Sequence, residues 1–437
     1  MKNFFKVILS SLVLISMMSI NALATDNVPE VQAEGMILID VKTGEVLAEK
    51  NSKNKFAPAS TTKIMTALLT LENTKLTDMV KVGENPPLAI GSSIGLKEGD
   101  VYSVEELLLA LLLESSNDSA VALAEHISGN EKEFAKLMTK RAKELGATNT
   151  NFVNASGLFE EEHYTTPYDL SLIMEEVIKH EDFNRMSRVI SHQMPVSKVD
   201  NEPKWLNNST SMFNPNSKDY YEPLISSKKG YTDLARFSYV AAAQKDGQLL
   251  ISVLMKAEFR KDIYIDSLAL FEYGFNNFDV TTLYKKGDVV TDITVNKTQV
   301  PLISNEDVYY LIDNTSDNSS KERKTIDKTN LSPNLKIEEK DLSKTSFKKG
   351  DKILSTDILI NNEVIKNIPL ISGVTVEYKP TQNILNFIKS KLLFLGLGIL
   401  AIFTIVYIIY NRLIHFRYRR RSKKIIFRSR RKNKLHW

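Results

Sequence analysis

The rhythm of apolar positions divides this chain before any single residue is considered. Behind Lys2 and Lys6, residues 7–18 are largely apolar, and Ala22-Leu23-Ala24 follows as a small-x-small cleavage site. That is the pattern of a secretory signal peptide, 1–24, which takes no part in the fold. From Leu392 to Tyr410, 19 residues pass without a charge, long enough to span a bilayer. Between these ends the pattern is that of a folded body.

Residues 25–34 read as a short linker. Met36-Ile37-Leu38-Ile39-Asp40 reads as a buried strand, Lys42-Thr43-Gly44 as a turn and Glu45 to Glu49 as the returning strand. Apolar residues then recur at helical spacing. One helix starts near Ser60. After a polar loop to about residue 102, a capping box, Ser103-x-x-Glu106, opens a very apolar helix over 107–113. Further helices are predicted over 119–127, 131–145 and 167–179, the last opened by Thr166-Pro167. Strands return near Leu224-Ile225, over 237–243 and over 249–255, and a helix over 260–275 closes the region. Strands at both ends with helices between predict one mixed sheet, N- and C-terminal hairpins side by side, flanked by a helical cluster. The fold class is α/β (α+β), over 25–275.

From 276 to 378 short strands alternate with turns at Gly287-Asp288, Asn296-Lys297, Gly350-Asp351 and Asn361-Asn362, predicting a smaller all-β domain. Within it, residues 313–334 are rich in Ser, Asn, Asp and Lys and read as a mobile loop. Residues 379–391 are a linker, 392–410 the transmembrane helix and 411–437 a basic tail.

Charge sharpens this division. The tail from Arg412 to Lys434 holds twelve cations and no acid. It is expected to stay cytoplasmic by the positive-inside rule and to lie against anionic lipid. Taking these cations and the two lysines of the signal from the net charge of +4 leaves residues 25–391 at −10. Nothing in that body suggests a polyanionic partner, so nucleic acid is not expected. The chain has no cysteine, which excludes disulfides and thiol chemistry. An exported body anchored by its C-terminus is the resulting expectation for localisation.

Four kinds of chemistry are then weighed. The six histidines form no His-Glu-x-x-His or similar pair, so no metal site and no cofactor is expected. Gly91-Ser92-Ser93-Ile94-Gly95 matches a nucleophile elbow, but a Pro-Pro pair precedes it and a turn follows, not the strand and helix that motif needs. Glu160, Glu161 and Glu162 form a solvated acidic run, with no reason to pair two carboxylates for glycoside cleavage. The fourth kind is a hydroxyl beside an amine. Ser60-Thr61-Thr62-Lys63 places both on one face of a helix start, a possible nucleophile and base. Taken singly, such a tetrad is more often a solvated helix start. It is followed, in order, by Ser115-Ser116-Asn117 at a helix–helix break and by Lys228-Lys229-Gly230-Tyr231-Thr232 at a strand, where glycine admits a ligand to the backbone.

Ser-x-x-Lys, Ser-x-Asn and Lys-x-Gly in that order resemble the signature of penicillin-recognising serine enzymes. The chain is similar to D-alanyl-D-alanine carboxypeptidases, the low-molecular-mass penicillin-binding proteins. The resemblance covers roughly residues 33–275. It extends through Ala59 to Thr66, Leu107 to Ala124, Asn151 to Leu158 and His163-Tyr164-Thr165-Thr166. The β-rich region and the C-terminal anchor fit the same layout. The resemblance implies removal of the terminal D-alanine from peptidoglycan stem pentapeptides through an acyl-enzyme on Ser60, with β-lactams as acylating inhibitors. Lys63 would take the proton of Ser60, and Ser115 would relay one to the leaving D-alanine. Asn117, Lys228, Lys229, Gly230, Tyr231 and Thr232 would bind substrate. The backbone N–H groups of Ser60 and Tyr231 would form the oxyanion hole.

The chain departs from the pattern at several places. Lys229 stands where the family usually has Thr or Ser, Ser116 where it has Gly, Arg236 where a Gly is common and Ser156 where His is frequent. Two other readings remain open on these residues: a catalytically weak or inactive relative that binds wall peptides, and a β-lactam hydrolase on the same fold. The protein partners of the β-rich domain are not legible.

Overall fold

The computed structural model describes residues 28–314, 333–378 and 380–432. The expected signal peptide and nearly all of the expected mobile loop 313–334 lie outside the described residues. One compact unit holds residues 28–283 with 307–314, and a second holds 284–306 with the described residues from 333 onward.

The first unit is built on a five-stranded sheet. Its strands are β1 (Gly35–Asp40), β2 (Val46–Lys50), β7 (Leu224–Thr232), β8 (Arg236–Lys245) and β9 (Gln248–Ala257), in the order β2-β1-β9-β8-β7. The N- and C-terminal hairpins do meet, β1 against β9, with Leu38 opposite Ser252. All four ladders are antiparallel, where a mixed sheet was expected. The reason is local. Tight turns join β1 to β2, β7 to β8 and β8 to β9, and such turns can only reverse the chain, which fixes three of the four ladders; the fourth, β1 on β9, joins the two hairpins.

Both faces of the sheet are covered, which explains strands that read as continuous apolar runs. Ile37, Ile39, Val240, Ala242, Ile251, Val253 and Met255 pack into the helical layer. Met36, Leu38, Tyr239, Ala241, Leu250 and Leu254 pack on the opposite side with Ile263, Leu270 and Phe271 of the closing helix Arg260–Asn277. The helical layer consists of α1 (Lys63–Asn73), α2 (Val104–Leu113), α3 (Asn117–Ser128), α4 (Glu131–Glu144), α5 (Pro167–Val177) and the short α6 (Glu181–Ser187), so the closing helix is α7.

Some boundaries differ from expectation. Ser60 is not the first residue of an α-helix. It lies in a 3₁₀ turn, Ala59–Thr62, and α1 starts at Lys63. The linker read at 25–34 is packed at its end: Val31 and Ala33 are buried, and Gln32 N donates to Asp266 Oδ2 at 2.8 Å. The polar loop before residue 103 contains a small ladder, β3 (Met79–Lys81) on β4 (Val101–Ser103), whose strands are too short to show a period. A second short ladder, β5 (Ser191–Gln193) on β6 (Trp205–Asn207), precedes β7. Ser103 does cap α2, accepting from Glu106 N at 3.3 Å, but Glu106 turns its carboxylate to His192 Nε2 at 2.8 Å.

After α7, β10 (Phe278–Tyr284) pairs with β13 (Val308–Asp313). The second unit carries a five-stranded sheet of β11 (Val289–Val295), β12 (Thr298–Ser304), β14 (Asn334–Ile337), β15 (Lys352–Ile360) and β16 (Glu363–Ser372), in the order β11-β12-β16-β15-β14. It contains an internal repeat. Lys-Lys-Gly-Asp stands at 285–288 and 348–351, and Pro-Leu-Ile-Ser at 301–304 and 369–372. The two halves meet at β12–β16, where Ile303 faces Ile371, its own counterpart, so an approximate two-fold passes between them. Each Lys-Lys-Gly-Asp turn is closed alike: Lys285 N donates to Asp288 Oδ2, and Lys348 N to Asp351 Oδ2, both at 2.8 Å. From Pro380 one helix, α8, runs to Lys432. Its stretch Ile384–Arg419, whose most apolar 18 residues have a mean hydropathy of 2.8, is long and apolar enough to cross a membrane.

Candidate active site

The 3₁₀ turn that carries Ser60 is clamped from two sides. Gly230 of β7 passes so close that a Cβ there would lie 2.7 Å from Ser60 N and 3.0 Å from Pro58 O. Gly157, at φ +85°, lies beneath Ala59: a Cβ would stand 1.8 Å from Ala59 O. Ala59 itself is held at φ +49°, a left-handed conformation that costs a non-glycine residue of order 1 kcal/mol and presents the next side chain sharply.

Lys63, one turn on, is fully buried. Its Nζ lies 3.0 Å from Ser60 Oγ and donates to Asn117 Oδ1 and to Ser156 O, each at 2.7 Å. Burial, then the nearby Lys228, holds its pKa well below the ordinary lysine value, and Asp118 opposes this. A neutral amine has two hydrogens and one lone pair. The two carbonyl oxygens take the hydrogens, and the lone pair is left for the hydroxyl hydrogen of Ser60.

Ser115 sits between α2 and α3 at φ +59°, and its hydroxyl has no partner among the described residues. Asn117 opens α3 and is fixed at its other end, its Nδ2 donating to Ile90 O at 2.5 Å. Asp118 behind it is buried and accepts from Leu96 N at 3.0 Å, Ile94 N at 3.3 Å and the hydroxyls of Ser93 and Ser116. The Gly91–Gly95 segment is therefore a loop tied to α3.

The third cluster lies within β7. β7 is the edge of the sheet, so one side of its backbone is left open to the cleft. Lys228 is buried, and burial followed by Lys229 lowers its pKa to about 7. Lys229 is lowered to about 7 as well, by burial and then Arg260, with Glu114 opposing. Its Nζ is hydrogen-bonded to Ser209 O, to which Arg260 Nη2 also donates, at 3.0 Å. Tyr231 is exposed, its ring 4.5 Å from that of Phe237. Thr232 Oγ1 accepts from Ala235 N at 3.0 Å and closes the turn into β8.

Ser60, Ser115, Lys229, Gly230 and Tyr231 thus line one cleft of about 410 Å³, with Ser92, Glu114, Ser209, Phe237 and Arg260. Lys63, Asn117 and Lys228 lie beneath it. Sequence reading missed Ser209, Glu114 and Arg260. Arg260 had a signal: with Lys261 it puts two cations in the first turn of α7, against the helix dipole, which marks a residue placed for something other than helix stability. His163, within the resemblance but without an assigned role, proves to be a brace. Its Nδ1 accepts from Val153 N at 3.1 Å, so Nε2 carries the hydrogen and donates to Thr62 Oγ1 at 2.9 Å. Burial, then Lys63, pulls its pKa down to about 4. Among the described residues no cluster of His, Asp and Glu could hold a metal ion.

A buried amine aimed at a serine hydroxyl, beside an open sheet edge, defines a serine hydrolase of the penicillin-binding, transpeptidase-like fold. The chain belongs to the D-alanyl-D-alanine carboxypeptidase family, whose model matches residues 22–259, and residues 278–378 match the C-terminal domain of penicillin-binding protein 5. It is 31% identical to the carboxypeptidase DacF of Bacillus subtilis over 78% of this chain and 88% of that one. It is 30% identical to DacC of Escherichia coli over 81% and 86%. Among solved structures, penicillin-binding protein 5 of Haemophilus influenzae aligns over 80% of this chain and 99% of its own, at 25% identity and a TM-score of 0.66. The chain is accordingly a serine-type D-Ala-D-Ala carboxypeptidase of peptidoglycan metabolism.

Proposed function

We propose that Ser60 attacks the carbonyl carbon between the two terminal D-alanines of a stem peptide while Lys63 takes its hydrogen. The observation that carries this reading is the orientation of Lys63. Two carbonyl acceptors at 2.7 Å leave its lone pair facing Ser60 Oγ at 3.0 Å. The new C–O bond makes a tetrahedral oxyanion, held by the backbone N–H groups of Ser60 and Tyr231. The C–N bond then breaks. Ser115, whose hydroxyl is unpartnered at the cleft, passes the proton from Lys63 to the leaving amine, and free D-alanine departs. Water next gives a proton to Lys63 and attacks the ester; its C–O bond breaks, Lys63 returns that proton to Ser60 Oγ, and the shortened peptide departs. A peptide laid along the β7 edge can pair with its backbone, and the cations of Lys229 and Arg260 draw the terminal carboxylate to one end of the cleft. β-Lactams acylate the same serine.

We further assign the catalytic unit to the outer side of the membrane, exported by the 1–24 signal and held by α8, with the basic tail inside. The test of the active site is to incubate the purified protein with a fluorescent penicillin and, separately, with a D-Ala-D-Ala tripeptide. Label lost in Ser60→Ala together with D-alanine release is the expected result. Absence of both in the native chain overturns the reading. Label without D-alanine release favours a binder, and rapid penicillin turnover favours a β-lactam hydrolase.

A further inference from the structure

One end of the second unit's sheet carries a cluster of lysines that catalysis does not use. At that end, Asn296 Nδ2 donates to Ser343 O at 2.7 Å, which brings the β11–β12 turn against the segment leading to the second Lys-Lys-Gly-Asp turn. Lys344, Lys348, Lys349 and Lys352 are all exposed there. The acids beside them in sequence, Asp341 and Asp351, accept from Ser343 N and Lys348 N and keep their charge, so the four lysines outnumber these two acids.

The same segment is fastened to the chain just before α8. Phe347 and Val376 exchange backbone hydrogen bonds of 3.0 and 2.8 Å. Lys349 N donates to Thr375 Oγ1 at 3.1 Å, and Tyr378 N to Ser346 Oγ at 2.9 Å. From Val376 to Pro380 the chain reaches at most roughly 14 Å, and Leu392, where the charge-free run starts, lies about 18 Å further along the helix. The lysines of this turn are therefore leashed to the entry of the membrane helix. Lys366, at the other end of the sheet, is paired with Glu306 at 3.1 Å. Lys366 faces Ile358, six residues along β15 from Lys352, or about 20 Å. That is more than two Debye lengths at physiological salt.

We propose that the sheet end carrying Lys344, Lys348, Lys349 and Lys352 docks on anionic headgroups of the leaflet that α8 enters, so that the β-rich domain stands on the membrane by a fixed end. This rests on α8 being a membrane anchor. A bilayer is favoured over a soluble polyanion because the leash keeps the lysines within reach of its surface, where each cation near anionic lipid adds about fivefold to the association.

The test uses the full chain in nanodiscs of wholly zwitterionic lipid and in discs about one-third anionic, with acylation of each lysine followed by mass spectrometry. Lys348 and Lys349 are expected to react about fivefold more slowly in the anionic discs, to recover in molar salt, and to do so while Lys366 is unchanged. In the double variant Lys348→Gln, Lys349→Gln, the protection of Lys344 and Lys352 weakens. Equal rates in both discs, with the chain still co-eluting with them, overturn the docking and leave the anchor intact. Failure to co-elute overturns both. Protection by added poly(glycerol phosphate) in zwitterionic discs, without protection by anionic lipid, overturns the membrane in favour of a wall polymer.

Discussion

Lys229 and Arg260 donate to one shared acceptor, the carbonyl oxygen of Ser209. Two cations on a single carbonyl leave positive charge uncompensated at the end of the cleft, and a substrate carboxylate is what would balance it. On the proposed reading, Lys229 offers the substrate carboxylate a charged donor where the family usually has a neutral hydroxyl.

Removing Arg260 tests this. Arg260→Ala deletes one charge-assisted contact, worth about 1.5–3 kcal/mol. We expect kcat/KM for a D-Ala-D-Ala tripeptide to fall about 10- to 100-fold, mostly through KM. An amidated C-terminus should be insensitive to the same substitution.

The charge on Lys229 also predicts an alkaline limb. With its pKa near 7, the amine loses its charge as pH rises through neutrality, so KM rises there. Lys229→Arg keeps its charge and should move that limb to higher pH, read from a kcat/KM profile.

On the acid side the limiting group is Lys63, which acts only when neutral. Asp118 is the neighbouring charge that raises its pKa. Asp118→Asn removes that influence, so the acid limb of penicillin acylation should move to lower pH. The same variant loses stability, because a buried acceptor of several hydrogen bonds becomes partly a donor.

Two glycines separate stability from catalysis. Gly230→Ala drives a methyl to 2.7 Å from Ser60 N, so acylation should slow at least tenfold while the melting temperature falls only a few degrees. Gly157→Ala combines φ +85° with a 1.8 Å contact to backbone, and the chain should fail to give soluble folded protein.

His163 sets an acid threshold. Its pKa of about 4 lies below that of an unfolded histidine, about 6.5. Between those values the unfolded chain binds more protons, so stability falls as pH drops, by up to about 1.4 kcal/mol per pH unit. Denaturant midpoints between pH 6.5 and 4 check the slope, and His163→Gln should flatten it.

The motifs were legible because the spacing of Ser60 and Lys63 is a helical turn, a property of covalent geometry that survives any packing. The break at Ser115–Asn117 and the strand at Lys228 were legible for the same local reason, as were both apolar ends. Ser209, Glu114 and Arg260 were not, because their neighbourhood consists of residues distant in sequence, joined only when β7, the end of α2 and the start of α7 converge. The antiparallel sense of the sheet was decidable from its tight turns but was obscured by apolar runs that a sheet buried on both faces shares with parallel strands.

By itself, then, the chain's order determined which residues could supply a nucleophile and a base, and that the body lies between a signal-like start and an apolar span. Tertiary structure decided what those groups are. It stripped water from Lys63, placed Lys228 near it, and turned two carbonyls toward its hydrogens. A lysine's basicity is a property of its surroundings, and those surroundings are assembled from segments up to 165 residues away, the separation between Lys63 and Lys228.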